Sequence, residues 1–160
     1  MSLSKAQVEY FRECGFLPTM PVMSTAEAQT LRDELEKHET SLQQPLKGAD
    51  RMRQHLIFRS LSRLIRSSTI LDRVESLIGP NIMVWSTDWW IKEPRSRTYV
   101  SWHQDSQYWG LDTTNLVTVW VALSPATSSS GCMKVIPGSH KGPNRRHEDC
   151  LLYTSPSPRD

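Results

Sequence analysis

The first part of the chain places its hydrophobic residues at the spacing of an α-helix. Ser4 is suited to cap a first helix that runs to Cys14, and Gly15 is a typical helix stop. Ser24 followed by Glu27 has the pattern of a capping box and predicts the start of a second helix. The apolar face of this second helix is formed by Ala28, Leu31 and Leu35.

Two further helical patterns follow before residue 80. The third pattern uses five apolar residues at helical spacing, Leu56, Ile57, Leu61, Leu64 and Ile65. The fourth runs from Ser68 to Ile78 and ends at Gly79-Pro80, which is a stop signal. We therefore expect residues 1–80 to be the helical part of the fold.

From residue 81 onward the composition shifts to Trp, Val, Ile and Thr, which favour pleated, half-buried surfaces. The pattern predicts a long strand over residues 82–92 and shorter strands over residues 116–123 and 132–136. Short strands separated by turns, without helices between them, favour an antiparallel sandwich or barrel. The sequence thus predicts a mainly β fold with N-terminal helices, the β part covering residues 81–149.

The last eleven residues differ from the rest of the chain. Residues 150–160, CLLYTSPSPRD, resemble one reading frame of a sequencing adapter rather than a protein segment. A segment of this kind carries no information about the native fold. We expect a non-native tail here, following a partial domain over residues 1–149.

Composition and charge exclude several classes of protein. The formal net charge is +2, from 19 basic and 17 acidic residues, so nothing indicates a nucleic-acid partner. No apolar stretch approaches the roughly 18 residues that a membrane span requires. Cys14 and Cys132 form no CxxC motif, and the N-terminus is polar rather than a secretory leader. We expect a cytoplasmic protein of one domain, or most of one.

The segment 101–109 carries the candidate chemistry, because His103 and Asp105 form a His-x-Asp pair within an aromatic frame. Residues two apart in an extended segment point the same way, so both side chains can reach one ion. Two His and one carboxylate bind Fe(II) on one face and leave the other face open. The pattern alone also allows an ordinary His103 that is bonded to Asp105 or to solvent. A second match, His147 and Asp149, lies in a polar run and predicts a solvated surface segment.

The run from Trp102 to Gly142, WHQDSQYWGLDTTNLVTVWVALSPATSSSGCMKVIPGSHKG, resembles the phytanoyl-coenzyme A dioxygenase family. The earlier runs YFRECGFL and GPNIMVWSTDWWIKEP resemble the same family, so the similarity covers essentially residues 1–149. The resemblance implies a double-stranded β-helix, a cupin-like jelly roll that would be incomplete at the C-terminus. It also implies Fe(II), 2-oxoglutarate as co-substrate, and hydroxylation of a small organic molecule with O2. His103 and Asp105 then inherit the metal-ligand roles, and Gln104 and Trp120 match positions close to the keto acid.

The chain departs from the family pattern in two respects. Relatives supply a third ligand from a downstream His, and an Arg further on binds the distal carboxylate of 2-oxoglutarate; neither is identifiable here. His140 belongs to a turn that is structural in relatives. We therefore expect a fragment that is inactive by itself. Two alternatives stay open: a non-catalytic cupin-like binding module, and a zinc-dependent hydrolase using His103, Asp105 and His140.

Overall fold

The structure is a computed structural model that describes residues 1–96 and 99–145. The predicted tail, residues 150–160, and the second His-x-Asp match at His147 lie outside the described residues. The five α-helices of the described part are α1 (Lys5–Cys14), α2 (Thr25–Leu42), α3 (Arg59–Leu64), α4 (Ser68–Ile78) and α5 (Ser106–Trp109). Short 3-10 turns occur at Gly48–Arg51, Gln54–Leu56 and Ser139–Lys141.

The local signals for the first two helices are confirmed. Ser4 caps α1 by accepting a bond from the backbone N of Gln7 on its hydroxyl, and Gly15, whose φ is 82°, is the C-terminal cap. Ser24 and Glu27 form the predicted capping box of α2. These contacts satisfy backbone groups that a helix end otherwise leaves without partners.

The third and fourth helical patterns have different outcomes. The third pattern is divided between a 3-10 turn, Gln54–Leu56, and the short helix α3. The fourth forms α4 with the predicted bounds, and Gly79 is its C-terminal cap. None of the helices in residues 1–96 and 99–145 has both the length and the apolar character needed to cross a membrane.

The Glu27 carboxylate makes the start of α2 dependent on pH. Bonds from the backbone N–H and the hydroxyl of Ser24 hold the pKa of Glu27 below its usual range. A lowered pKa in the folded state means that the stabilisation is present above the unfolded pKa and is lost as the pH falls through the folded value. We expect the protection of the amides in the first turn of α2, measured relative to their intrinsic exchange rates, to fall below about pH 4. Glu27→Gln keeps the capping geometry without a titrating group, so a variant with unchanged acid sensitivity would contradict this prediction.

The hydrophobic core lies between α2 and the segment that contains α3. Leu31, Phe58 and Leu61 form its buried centre. Half-buried side chains from four separate parts of the chain pack against this centre: Met23, Leu64, Trp89 and Leu123. The core therefore joins the helical part of the chain to residues 82–123.

A buried glutamine, Gln54, forms several hydrogen bonds at the edge of this core. Gln54 is 1% exposed, and its side-chain amide donates to the backbone oxygens of Asp50 and Met52. Its side-chain oxygen accepts a bond of 3.2 Å from the indole Nε1 of Trp89. Buried polar groups are expensive when they lack partners, and these bonds supply the partners. The hydropathy pattern had not indicated a buried polar residue at this position.

The prediction of a mainly β fold, and with it the double-stranded β-helix, is wrong for the described residues. Residues 1–96 and 99–145 contain no β-strand. In the predicted strand 82–92, the oxygen of Thr87 accepts from Gln54 N, and Trp89 N donates to the oxygen of Arg51. These backbone groups bond to 3-10 turns instead of a neighbouring strand. Strand propensity reports how well a residue suits a pleated surface, whereas a strand forms only where a second segment supplies the hydrogen-bond ladder.

The C-terminus of α1 is fastened to the turn that contains His140. The backbone N of Gly138 donates to the oxygen of Cys14 at 2.9 Å. The ring Nε2 of His140 lies 3.0 Å from the oxygen of Arg12, and since a carbonyl can only accept, Nε2 carries the proton. Two hydrogen bonds between distant parts of the sequence thus satisfy carbonyls at the end of α1.

Gly15→Ala is expected to destabilise the fold more than Gly48→Ala. Both glycines have positive φ, 82° and 50°, which costs an alanine roughly 1–2 kcal/mol. At Gly15 a Cβ would also clash with Nδ1 of His140, whose ring is held by its bond to Arg12. At Gly48, apart from the two chain neighbours, no atom of the described residues lies within 4 Å of the corresponding position. Urea unfolding of both variants measures the difference. Equal losses of stability would show that the His140 ring moves aside without cost.

Candidate metal centre

His103 and Asp105 lie together at the start of α5. The ring Nε2 of His103 is 3.1 Å from Oδ1 of Asp105. The sequence predicted this proximity from an extended segment, but Asp105 has helical dihedrals, φ −55° and ψ −40°, and precedes α5 directly. The two side chains meet because the backbone turns into a short helix, and not because they share one face of a strand.

The hydrogen bonds of His103 fix which ring nitrogen is available. Nδ1 lies 2.8 Å from the backbone oxygen of Ser101. Because that oxygen can only accept, Nδ1 carries a proton, and in the neutral ring Nε2 is then an acceptor. Metal-binding histidines commonly use one nitrogen in this way while the other binds the ion.

Nε2 of His103 and Oδ1 of Asp105 are therefore two acceptors facing each other. That arrangement is unfavourable unless the ring gains a second proton or a cation binds to both atoms. Two ligand atoms at about 2.1 Å from one ion and about 90° apart are separated by about 3.0 Å. The observed 3.1 Å equals this separation and is also the length of a hydrogen bond from a doubly protonated ring, so the two atoms are at a suitable distance to share either a proton or a cation.

Two further side chains contact this pair. The hydroxyl of Thr118 donates to Oδ2 of Asp105 at 2.9 Å. The ring of Tyr108 meets that of His103 edge to face, with 6.1 Å between centroids. The side chains of His103 and Asp105 are 24% and 41% exposed, which leaves room for further ligands from solvent.

The structure gives Gln104 and Trp120 different surroundings. The side-chain oxygen of Gln104 accepts a 2.8 Å bond from the backbone N of Arg145, and the neighbouring Ser106 donates to Asn144 at 2.9 Å. Trp120 is 43% exposed, two residues after Thr118. The predicted contact of Gln104 and Trp120 with a keto acid stays a prediction.

No third ligand joins the pair within the part of the chain that the structure describes, where no group of three His, Cys, Asp or Glu side chains is arranged to hold an ion. His140 is bonded to α1, so the zinc-hydrolase alternative loses its proposed ligand set. His147 lies outside the described residues. The described centre thus offers two protein donors, His103 and Asp105.

Sequence reasoning missed the groups that orient these donors. Thr118 is thirteen residues from Asp105, and an isolated threonine in an apolar run carries no signal of such a contact. The oxygen of Ser101 acts through the backbone, so its residue type gives no indication either. Of the features of this site, the sequence indicated only the His-x-Asp spacing.

One family model and several named proteins match this chain. Residues 11–155 match the family model described as "Phytanoyl-CoA dioxygenase (PhyH)". The chain is 32% identical over 170 aligned residues to the bovine protein named "Phytanoyl-CoA dioxygenase, peroxisomal", with 91% of this chain and 50% of the relative covered. It is 33% identical over 88 residues to the Stutzerimonas stutzeri protein named "Probable alpha-ketoglutarate-dependent hypophosphite dioxygenase", covering 55% and 30%. The ectoine dioxygenase of Streptomyces avermitilis is 23% identical over 154 residues, covering 87% and 52%.

The similarity extends over nearly the whole chain, but the chain spans about half the length of the bovine and Streptomyces relatives. The family match includes the segment with His103 and Asp105 as well as helices α2 to α4. A match of this extent shows membership. This chain belongs to the phytanoyl-CoA dioxygenase family.

Proposed function

We propose that this chain is part of a non-haem Fe(II)- and 2-oxoglutarate-dependent dioxygenase that hydroxylates a small organic molecule. The observation that carries the proposal is the 3.1 Å approach of His103 Nε2 to Asp105 Oδ1, with Nδ1 already engaged by Ser101. The names of the relatives support the same reaction class, since all three are dioxygenases and one name includes alpha-ketoglutarate.

The residues have distinct roles in this proposal. His103 and Asp105 hold the ion, and together they contribute one negative charge, so a divalent cation keeps a net positive charge. Iron held by these two residues would supply redox chemistry with O2 and a Lewis-acid site for the keto acid. Ser101 keeps the imidazole in the tautomer that presents Nε2, and Tyr108 limits rotation of the ring.

The keto-acid site is proposed to include Gln104 and Trp120. The bond from Arg145 to Gln104 ties the segment 144–145 to the loop that carries His103. Trp120 belongs to the same segment as Thr118, which contacts Asp105. We further propose that the 160-residue chain does not turn over 2-oxoglutarate, because its described residues supply two donors, and two donors hold iron less tightly than the three of a complete triad.

A reducing compartment such as the cytoplasm is our proposal for location. Cys14 and Cys132 are both free thiols in the described part of the chain. Free cysteines are typical of reducing environments. The bovine relative is peroxisomal by name, which is a statement about that protein.

An anaerobic titration with Fe(II) and 2-oxoglutarate tests the proposed function. A keto acid chelated to protein-bound Fe(II) produces a visible charge-transfer band that neither component gives with the protein alone. We expect such a band for the wild-type chain, and we expect Asp105→Ala to abolish it. A band that is the same without protein, or unchanged in Asp105→Ala, would refute the assignment of this site.

A further inference from the structure

We propose that Thr118 is a positioning residue for the metal site, acting through Asp105; this inference rests on the proposed function. Its hydroxyl donates to Oδ2 of Asp105 at 2.9 Å. The other oxygen, Oδ1, is the atom that faces His103 Nε2. Thr118 thus bonds to Oδ2, and Oδ1 is the oxygen that faces the proposed ion site.

A carboxylate at a chain turn has a soft terminal torsion and rotates readily unless both oxygens are held. Asp105 is 41% exposed, so surrounding side chains do not pack tightly enough to fix it. A hydrogen bond to Oδ2 restricts that rotation and lowers the entropic cost of presenting Oδ1 to a cation. Threonine suits this task because its branched Cβ restricts χ1.

The same bond determines how Asp105 would bind. A carboxylate with two free oxygens can bind an ion through both, which would use a second coordination position. The bond from Thr118 uses one lone pair of Oδ2 and so favours binding through Oδ1 alone, which would keep the second position open for a co-substrate. Outer partners of this kind typically change metal affinity by about 10–100-fold when they are removed.

The contact also links two segments that the sequence does not relate. Thr118 lies in the predicted strand 116–123, while Asp105 lies at the start of α5. On the other side of the loop, Asn144 and Arg145 bond to Ser106 and Gln104. Two separate segments therefore hold the loop that carries His103: residues 144–145 on one side and Thr118 on the other. Of these contacts, only the one from Thr118 reaches a proposed ligand, Asp105.

Mn(II) affinity measured by EPR of the free ion, together with the visible spectrum of the Co(II) form, tests this role. We expect Thr118→Val to weaken Mn(II) binding by about 10-fold or more and to alter the Co(II) spectrum. Thr118→Ser retains the donor and is expected to recover most of the affinity and the wild-type spectrum. Thr113→Val is the matched control, because the Thr113 hydroxyl accepts from Asn115 N and does not contact Asp105.

The outcomes separate this inference from the proposed function. If Thr118→Val binds Mn(II) like the wild type while Asp105→Ala does not bind, the positioning role is refuted and the metal site stands. If Thr118→Ser binds Mn(II) as weakly as Thr118→Val, loss of the hydroxyl does not explain the lower affinity, and the positioning role is again refuted. If the wild-type chain binds neither Mn(II) nor Co(II), both proposals fail. Circular dichroism of each variant establishes that it is folded.

Discussion

His103→Ala is expected to weaken Mn(II) binding by more than the roughly 10–100-fold that removal of an outer-shell partner costs. The substitution removes one of the two described donors, and Asp105 alone then competes poorly with water. It also removes the acceptor pair in which Nε2 and Oδ1 lie 3.1 Å apart. EPR titration of free Mn(II) measures the change.

His140→Ala is the matched control for this prediction. His140 is bonded to the carbonyl oxygen of Arg12 in α1, so its loss is expected to lower stability and leave Mn(II) affinity unchanged. We thus expect the His103 variant to lose Mn(II) affinity and the His140 variant to lose stability. Equal loss of metal binding in the two variants would contradict the assignment of His103, and would point to a site that includes the His140 turn.

Phe58→Ala is expected to lower the free energy of unfolding by about 3–5 kcal/mol, the usual cost of deleting a buried aromatic ring. Phe58 is 6% exposed and lies at the centre of the core with Leu31 and Leu61. Its ring meets Trp89 edge to face at 6.1 Å, and it meets His38 in the same way at 5.2 Å. Domains of this size have a total stability of about 5–15 kcal/mol, so the variant would lose a large share of it.

Urea unfolding followed by tryptophan fluorescence measures the effect of Phe58→Ala. Leu56→Ala is the control, since Leu56 is two residues away and 74% exposed. Its expected change is within about 0.5 kcal/mol. A loss below about 1 kcal/mol for Phe58→Ala would mean that the site collapses around the cavity, and that Phe58 does not hold the helices to residues 82–123.

The helical half of the fold could be predicted because its signals are local. Ser4, Gly15 and Ser24 each act on backbone groups within one helical turn, and the structure uses all three as expected. The burial of Leu31 and Leu35 also followed from their spacing. The third pattern predicted one continuous helix from its local spacing, but the chain forms a 3-10 turn at Gln54–Leu56 before α3.

Residues 82–136 could not be predicted in the same way. Their composition indicates suitability for a pleated surface, but backbone pairing depends on segments that are distant in sequence. In the described structure, Thr87 and Trp89 bond to the turns at Arg51 and Gln54. No pattern of apolar residues specifies those partners.

In the candidate site, too, some features follow from the sequence and others depend on the tertiary structure. The sequence by itself predicted His103 and Asp105 as the candidate metal ligands and determined that they lie near each other, because residues two positions apart are constrained to remain close. Only the tertiary structure decided what orients them, through Thr118, and where His140 goes, through α1. Chemistry is a property of residue type and local spacing, whereas orientation depends on contacts between distant segments, and these exist only after the chain has folded.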